Sequence, residues 1–164
     1  MQNNYTEINS KTYIAEAEIQ DLPNTLSLQK IAYQSEAELV GDYSIPPLTQ
    51  TLDGITADFN EGFILKAVLE NIGEIIGSVR GKSIENTLHI GRLIVESSRQ
   101  NQGIGTALLK AAETMFPQAR YELFTSDKSG KNLSLYIKNE YKEFKREPLV
   151  GKVNLIYLQK EARL

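Results

Sequence analysis

Two glycines one residue apart, Gly103 and Gly105, stand where an apolar run gives way to a helical pattern. Leu93-Ile94-Val95 is apolar and mostly β-branched, and reads as the end of a strand. A polar stretch, Glu96-Ser97-Ser98-Arg99-Gln100-Asn101-Gln102, follows it. Ile104, Ala107, Leu108, Ala111, Ala112 and Met115 then recur at helical spacing and predict one buried stripe. The first N–H groups of a helix have no partner inside it, and the helix dipole adds partial positive charge there. A glycine-containing loop that leads into a helix can therefore hold a phosphate, because no Cβ stands between backbone and anion. A dinucleotide fingerprint would need glycine or alanine where Leu108 stands, and no Gly-Lys-Ser/Thr follows to hold a nucleoside triphosphate.

The elements that must position this loop can be read along the chain. Residues 1–10 are polar and read as frayed. Lys11 to Ile19 mixes strand formers and predicts a first strand. Asp21-Leu22-Pro23-Asn24 starts a helix in which Leu28, Ile31, Ala32 and Leu39 share a face, and Gly41 suits its end. Pro46-Pro47 opens a second helix, with Leu48, Leu52, Ile55 and Phe59 as its apolar positions and Gly62 as its stop. Phe63 to Glu70, Glu74 to Arg80 and Thr87 to Glu96 read as strands. Turns at Asn71-Ile72-Gly73 and Gly81-Lys82-Ser83 make them antiparallel neighbours. A helix from about Ile104 to Phe116 stops before Pro117, and Tyr121 to Thr125 is a short strand. Ser129 caps a helix in which Leu133, Tyr136 and Ile137 share a face. Lys142 to Lys160 forms two strands around Pro148-Leu149-Val150-Gly151. The order is β-αα-βββ-α-β-α-ββ, expected as one domain over residues 1–164. Its strand–helix–strand unit makes a right-handed crossover between parallel neighbours.

Composition narrows the functions open to such a fold. The chain has no cysteine, hence no disulfide framework, thiolate nucleophile or thiolate metal site. His89 is the single histidine, so a multi-histidine metal site is excluded and no metal is expected. The net charge of -3 argues against general nucleic-acid binding, which needs a basic face. No apolar run approaches the roughly 20 residues that span a bilayer, and the start of the chain lacks the pattern of a signal peptide. The expectation is a soluble, cytoplasmic protein with neither nucleic acid nor membrane as partner.

The run Gln100-x-x-Gly103-x-Gly105, set in the longer stretch Arg92 to Leu109, resembles the pyrophosphate loop of the GNAT superfamily, the acyl-CoA-dependent N-acyltransferases. Family loops often carry proline, arginine and glycine where this one has Ser97, Gln100 and Asn101, so the loop is less basic. The element order resembles the whole GNAT fold. It implies an α/β protein of the α+β type, with a central, mostly antiparallel sheet and one parallel, splayed strand pair. Acetyl-CoA is then the expected donor substrate. By the same resemblance, backbone N–H groups from Gln102 through Gly103, Ile104 and Gly105 to Thr106 would cradle the pyrophosphate, with Gln100 and Asn101 in the loop. Arg99 would add a point of charge. Main-chain groups of Leu93 and Val95 would pair with the pantetheine arm. Asn132 and Tyr136 lie four apart, on one helix face, and resemble the family's Asn-x-x-x-Tyr element. The asparagine there bonds the cofactor arm, and the tyrosine protonates the departing thiolate. A phenol with pKa near 10 is protonated at neutral pH and able to donate.

Transfer also needs a neutral amine, and an amine of pKa near 10 is neutral in only about one molecule per thousand at pH 7. Glu96, at the end of the central strand, is the first candidate base; His89, Glu74 and a water chain are the others. Glu36, Glu38, Asp42 and Tyr43 would give an acidic rim that favours a cationic acceptor. The leading expectation is an N-acetyltransferase acting on a small-molecule or peptide amine by direct transfer in a ternary complex, with a homodimer left open. The alternative is a non-catalytic acyl-CoA-binding sensor or regulatory module. A dinucleotide-dependent oxidoreductase is disfavoured by Leu108.

Overall fold

The three consecutive strands expected at the centre of the chain are the frame of the molecule. The structure, a computed structural model, describes residues 5–9, 11–149 and 151–163. β3 (Phe63–Leu69), β4 (Glu74–Ile84) and β5 (Thr87–Val95) run antiparallel. β1 (Tyr5–Asn9) and β2 (Thr12–Glu16) extend the sheet on one side. β6 (Arg120–Ser126), β8 (Asn154–Glu161) and β7 (Lys142–Pro148) extend it on the other. Every neighbouring pair is antiparallel except β5 and β6, which are parallel. The mixed, mostly antiparallel sheet with one parallel pair is thus the architecture expected.

Both faces of the central strands are covered. β3 is buried at six of its seven positions, as a strand covered on both sides must be. On one face lies α5 (Ile104–Met115), whose Ile104, Leu108, Leu109, Ala111 and Ala112 are buried against Leu65, Ile76, Leu88 and Leu123. On the other face α1 (Leu22–Ala32) and α4 (Leu52–Glu61) enclose a smaller core of Ala17, Leu22, Leu26, Ile55 and Ile64. A buried polar knot fixes these helices to β4. Arg80 donates to Asp58 at 2.9 Å, to Gln50 Oε1 at 3.0 Å and to Gln29 Oε1. Gln29 in turn donates to the Pro47 carbonyl at 2.9 Å. Burial pulls the Arg80 guanidinium below its ordinary range, while the Asp58 carboxylate works against that. A buried charge of this kind is tolerable only with such partners.

Several local expectations are corrected. Residues 5–9, read as frayed, form an edge strand paired with β2, and the first strand proper ends at Glu16. The first helix breaks at Tyr33 into α1 and α2 (Gln34–Val40). The second divides into α3 (Pro46–Thr49) and α4. The buried face of α1 is Leu22, Thr25, Leu26 and Gln29, while Ile31 is 71% and Leu39 of α2 is 53% exposed. Of the expected face of α6 (Gly130–Lys138), Ile137 is likewise exposed. Gly81-Lys82-Ser83 is no turn. β4 runs on to Ile84, and Glu85 and Asn86, both at positive φ, reverse the chain. Gly81 is glycine for another reason: a Cβ there would lie 2.7 Å from the Phe63 ring.

Candidate active site

β5 and β6 pair at three positions only, Thr87↔Arg120, Leu88↔Tyr121 and His89↔Glu122. Beyond His89 and Glu122 the two strands share no further pairing and part from each other. A bulge accompanies the parting. Val79 of β4 faces both Arg92 and Leu93, and Arg92 takes φ 49, in the left-handed region. A bulge bends its strand and sharpens the twist, which turns the end of β5 from its parallel neighbour. The N–H of Glu96 donates to the Ile76 carbonyl of β4 at 2.8 Å. By the alternation of an antiparallel ladder, the N–H of Val95 then points into the gap.

The gap widens into a cleft of about 990 Å³. Leu93, Ile94 and Val95 form its floor, and Ala32, Tyr33, Glu36 and Glu38 flank it. The loop wall is Arg99 to Asn101 with Gly103 to Thr106; the facing wall is Lys128 to Asn132 with Ser134, Leu135 and Lys138. Asn101 at φ 63 and Gly103 at φ 83 swing the loop into α5. Gly103 caps that helix with no side-chain bond, and no acidic residue stands in the first turn. The N–H groups at the start of α5 are thus left open toward the cleft. Gln100 ties the loop to both sides: it donates to the Val95 carbonyl at 3.4 Å and accepts from Lys131 Nζ at 3.0 Å. Across the cleft, Glu36 accepts from Ser129 Oγ and, at 3.4 Å, from Asn132 Nδ2. Asn132 also donates to Thr125 Oγ1 at 3.3 Å.

A strand that leaves its parallel neighbour beside a glycine-capped helix start can hold an extended, phosphorylated acyl carrier, and comparison with known proteins bears on which. The sequence model of the acetyltransferase (GNAT) family matches residues 25–139. The chain belongs to that family. PaiA N-acetyltransferase from Thermoplasma acidophilum, solved in complex with coenzyme A, is 19% identical, with 92% of this chain and 99% of that one covered at a TM-score of 0.75. IAA acetyltransferase from Bacillus cereus is 21% identical over 92% of this chain and 99% of its own, with a TM-score of 0.68. The ribosomal-protein-S18-alanine N-acetyltransferase from Escherichia coli is 15% identical, covering 92% and 93%, with a TM-score of 0.73. At these identities the likeness is one of fold. Among curated proteins, none matches the sequence.

In this GNAT chain the residues singled out from sequence fall into two groups. Leu93, Val95, Gln100, Asn101, Gly103, Ile104, Gly105, Thr106 and Asn132 line the cleft, whereas Gln102 and Tyr136 do not. Tyr136 is buried on α6 at 6% exposure, with its ring 6.2 Å from that of Tyr141. Burial pushes the Tyr136 phenol well above its ordinary range, and Tyr33 and Glu36 add to the rise. None of the expected bases lines the cleft. Glu96 faces Arg99 at 3.6 Å, and His89 lies in the closed part of the strand pair, 4.0 Å from Glu122. Glu74 is exposed at the start of β4. Of the acidic rim, Glu36 and Glu38 reach the cleft; Asp42 instead bonds Ser44 at 2.8 Å.

Two residues, one lining the cleft and one beside it, escaped the sequence reading. Tyr33, at the break between α1 and α2, lines the cleft, and burial raises its phenol while Arg92 opposes the rise. The Arg92 guanidinium lies 6.0 Å from the Tyr33 ring centre. The one sequence signal was Gly91-Arg92 between the apolar Ile90 and Leu93. No helix among the described residues is long and apolar enough to cross a membrane.

Proposed function

We propose that this acetyltransferase moves the acetyl group of acetyl-CoA to the amine of a small molecule or peptide, directly, with both substrates bound. The observation that carries the reading is the open start of α5 beside the unpaired end of β5. The coenzyme A complex of the Thermoplasma relative supports it. The pyrophosphate rests on the N–H groups from Gly103 to Thr106, where glycine permits close approach and the dipole favours the anion. The pantetheine amides continue the sheet along Leu93 and Val95, and Asn132 steadies the arm from α6. The Val95 N–H, turned into the gap, stands ready for the thioester oxygen as negative charge grows on it; such aligned donors are commonly the largest contribution to acyl transfer.

The amine attacks the thioester carbon, and the C–S bond breaks as the tetrahedral intermediate collapses. Tyr136 supplies the proton that the thiolate sulfur takes up. The attacking nitrogen gives up its extra proton to water in the cleft, and water returns a proton to the Tyr136 phenolate. Glu96, at the strand end, is the alternative acceptor of the nitrogen's proton; a loss above about 100-fold in rate for Glu96→Gln would give it that role. With no cysteine in the chain, proximity of two bound substrates supplies much of the acceleration.

The test is release of coenzyme A across amine classes, with both substrates varied for any amine that reacts. Steady release with intersecting initial-rate lines is expected. Parallel lines together with an acetylated protein in the mass spectrum would defeat direct transfer. Tight acetyl-CoA binding with no turnover on any amine would leave a binding module.

A further inference from the structure

We infer that Arg92 receives a carboxylate of the acceptor, so that the amine substrate is a carboxylate-bearing one of the amino-acid class. This rests on the acetyl-transfer reading above and names the acceptor within it.

Two arginines stand on the α1 side of the central strands, and they are provided for unequally. Arg80 has Asp58, Gln29 and Gln50. Arg92 lies near enough that its charge helps to lower Arg80. Among the described residues no carboxylate comes within 4.0 Å of Arg92; its partner is Tyr33, whose ring centre lies 6.0 Å away and whose hydroxyl it meets. The Arg92 Nε, like that of Arg80, is shielded from solvent and has no hydrogen-bond partner. A shielded donor that bonds nothing, on a charged group beside another of the same sign, is an arrangement that folding alone does not favour. The backbone adds to the cost, since Arg92 holds φ 49 at the bulge rather than glycine or asparagine. Strain of this kind concentrates at functional sites.

Position says what the arrangement is for. Arg92 comes three residues after His89, the last position paired with β6, on the strand that forms the cleft floor. Its guanidinium lies against Tyr33, which itself lines the cleft. α5 and its loop lie on the opposite face of the sheet, so the α1 side is left for the acceptor. The planar guanidinium fork suits a carboxylate in geometry.

A free amino acid and an acidic residue beside a peptide N-terminus offer the same chemistry, and probes separate them. Coenzyme A release by the full chain is measured with free L-amino acids, with the same residues as C-terminal amides, and with amidated peptides bearing Asp or Glu next to the free N-terminus. One of the carboxylate-bearing sets should exceed the simple amides by about 10–100-fold in kcat/KM, the worth of a charge-assisted bond, and which set does so identifies the source. Arg92→Gln should erase that preference, and Arg92→Lys should keep part of it. Equal use of amides and acids by the unmodified protein overturns the inference, as does an equal loss on both in Arg92→Gln. Should Arg92→Gln fail to fold, the comparison of probes on the unmodified chain still decides. Calorimetry of N-acetyl amino acids against their amides needs no turnover. Tighter binding of the acids would uphold Arg92 even if transfer itself failed, and equal binding would remove it.

Discussion

Two helices begin at the cleft, and they begin differently. α5 is opened by Gly103, with neither a side-chain bond nor an acidic residue in its first turn. α6 is opened by Ser129, and the chain brings it an anion of its own: Glu36 of α2 accepts from Ser129 Oγ and Asn132 Nδ2. Both starts carry the same partial positive charge. Their difference lies in a few residues, and it assigns them different work on the proposed reading. The bare start can take a phosphate from outside. The filled one holds still and presents side chains, with Asn132 at the cleft and Tyr136 one turn further on.

If that division holds, damage to α6 and to α5 should separate in the kinetics. The largest effect is expected from Tyr136→Phe, which keeps the ring and removes the proton donor. Its single-turnover rate should fall by about 10²–10⁴-fold with the acetyl-CoA Kd nearly intact; a loss confined to Kd would return α6 to a binding role. The pH dependence sharpens this. Burial holds the Tyr136 phenol above its usual value, so its ionisation should not lower the rate below about pH 10. Above pH 10 the unfolded chain loses this proton while the folded chain keeps it. The unfolded state then binds fewer protons and stability falls with rising pH. In Tyr136→Phe that part of the slope should vanish from alkaline unfolding curves.

Next in size is Gly105→Val. The new Cβ would sit 3.4 Å from Leu135 Cδ2, so the fold should survive, whereas Val at Gly103 would be strained by φ 83. The branched side chain blocks the approach to the open N–H groups, and acetyl-CoA affinity should fall on the order of 100-fold, the worth of one or two charge-assisted bonds. The single-turnover rate at saturating donor should change far less. Unchanged affinity by calorimetry would break the comparison at its first term. The smallest effect belongs to Glu36→Gln. Removing the anion from the start of α6 should cost about 0.3–1 kcal/mol in stability, read as a lower denaturation midpoint. Acetyl-CoA affinity should hold or rise slightly as Asn132 is released. A drop above about tenfold would mean that Glu36 serves the donor.

The α5 side of this comparison was legible in the sequence. Two glycines, a strand end and an apolar stripe at helical spacing are local signals, and each agrees with the others. What stayed hidden depends on partners far along the chain. Gln29 is buried on α1 because Arg80, 51 positions later, needs its oxygen, and nothing in its own stretch marks it. The bulge at Arg92 is a mismatch in pairing with Val79, and no residue type announces a mismatch. Gly81 drew the turn to itself because glycine commonly marks turns, while the actual requirement was room for the Phe63 ring. The break at Tyr33 carries no glycine or proline at all. Tyr136 was placed on its helix correctly, but its burial comes from Tyr141 and the core beneath it.

The three-position junction between β5 and β6 has a consequence for how the molecule breathes. Strands β1 to β5 and β6 to β8 lie on opposite sides of it, joined elsewhere by the packing of α5 and the shared core. Along the end of β5, amides turned toward β4 are held in a ladder, while that of Val95 meets none. Hydrogen–deuterium exchange should therefore alternate there, slow at Glu96 and fast at its neighbour Val95, within one rigid strand. A donor laid along that edge would slow the exposed amide and bridge the two sides at once. Local opening of the sheet would become more costly, and the substrate would act, for the time it stays, as a ninth strand.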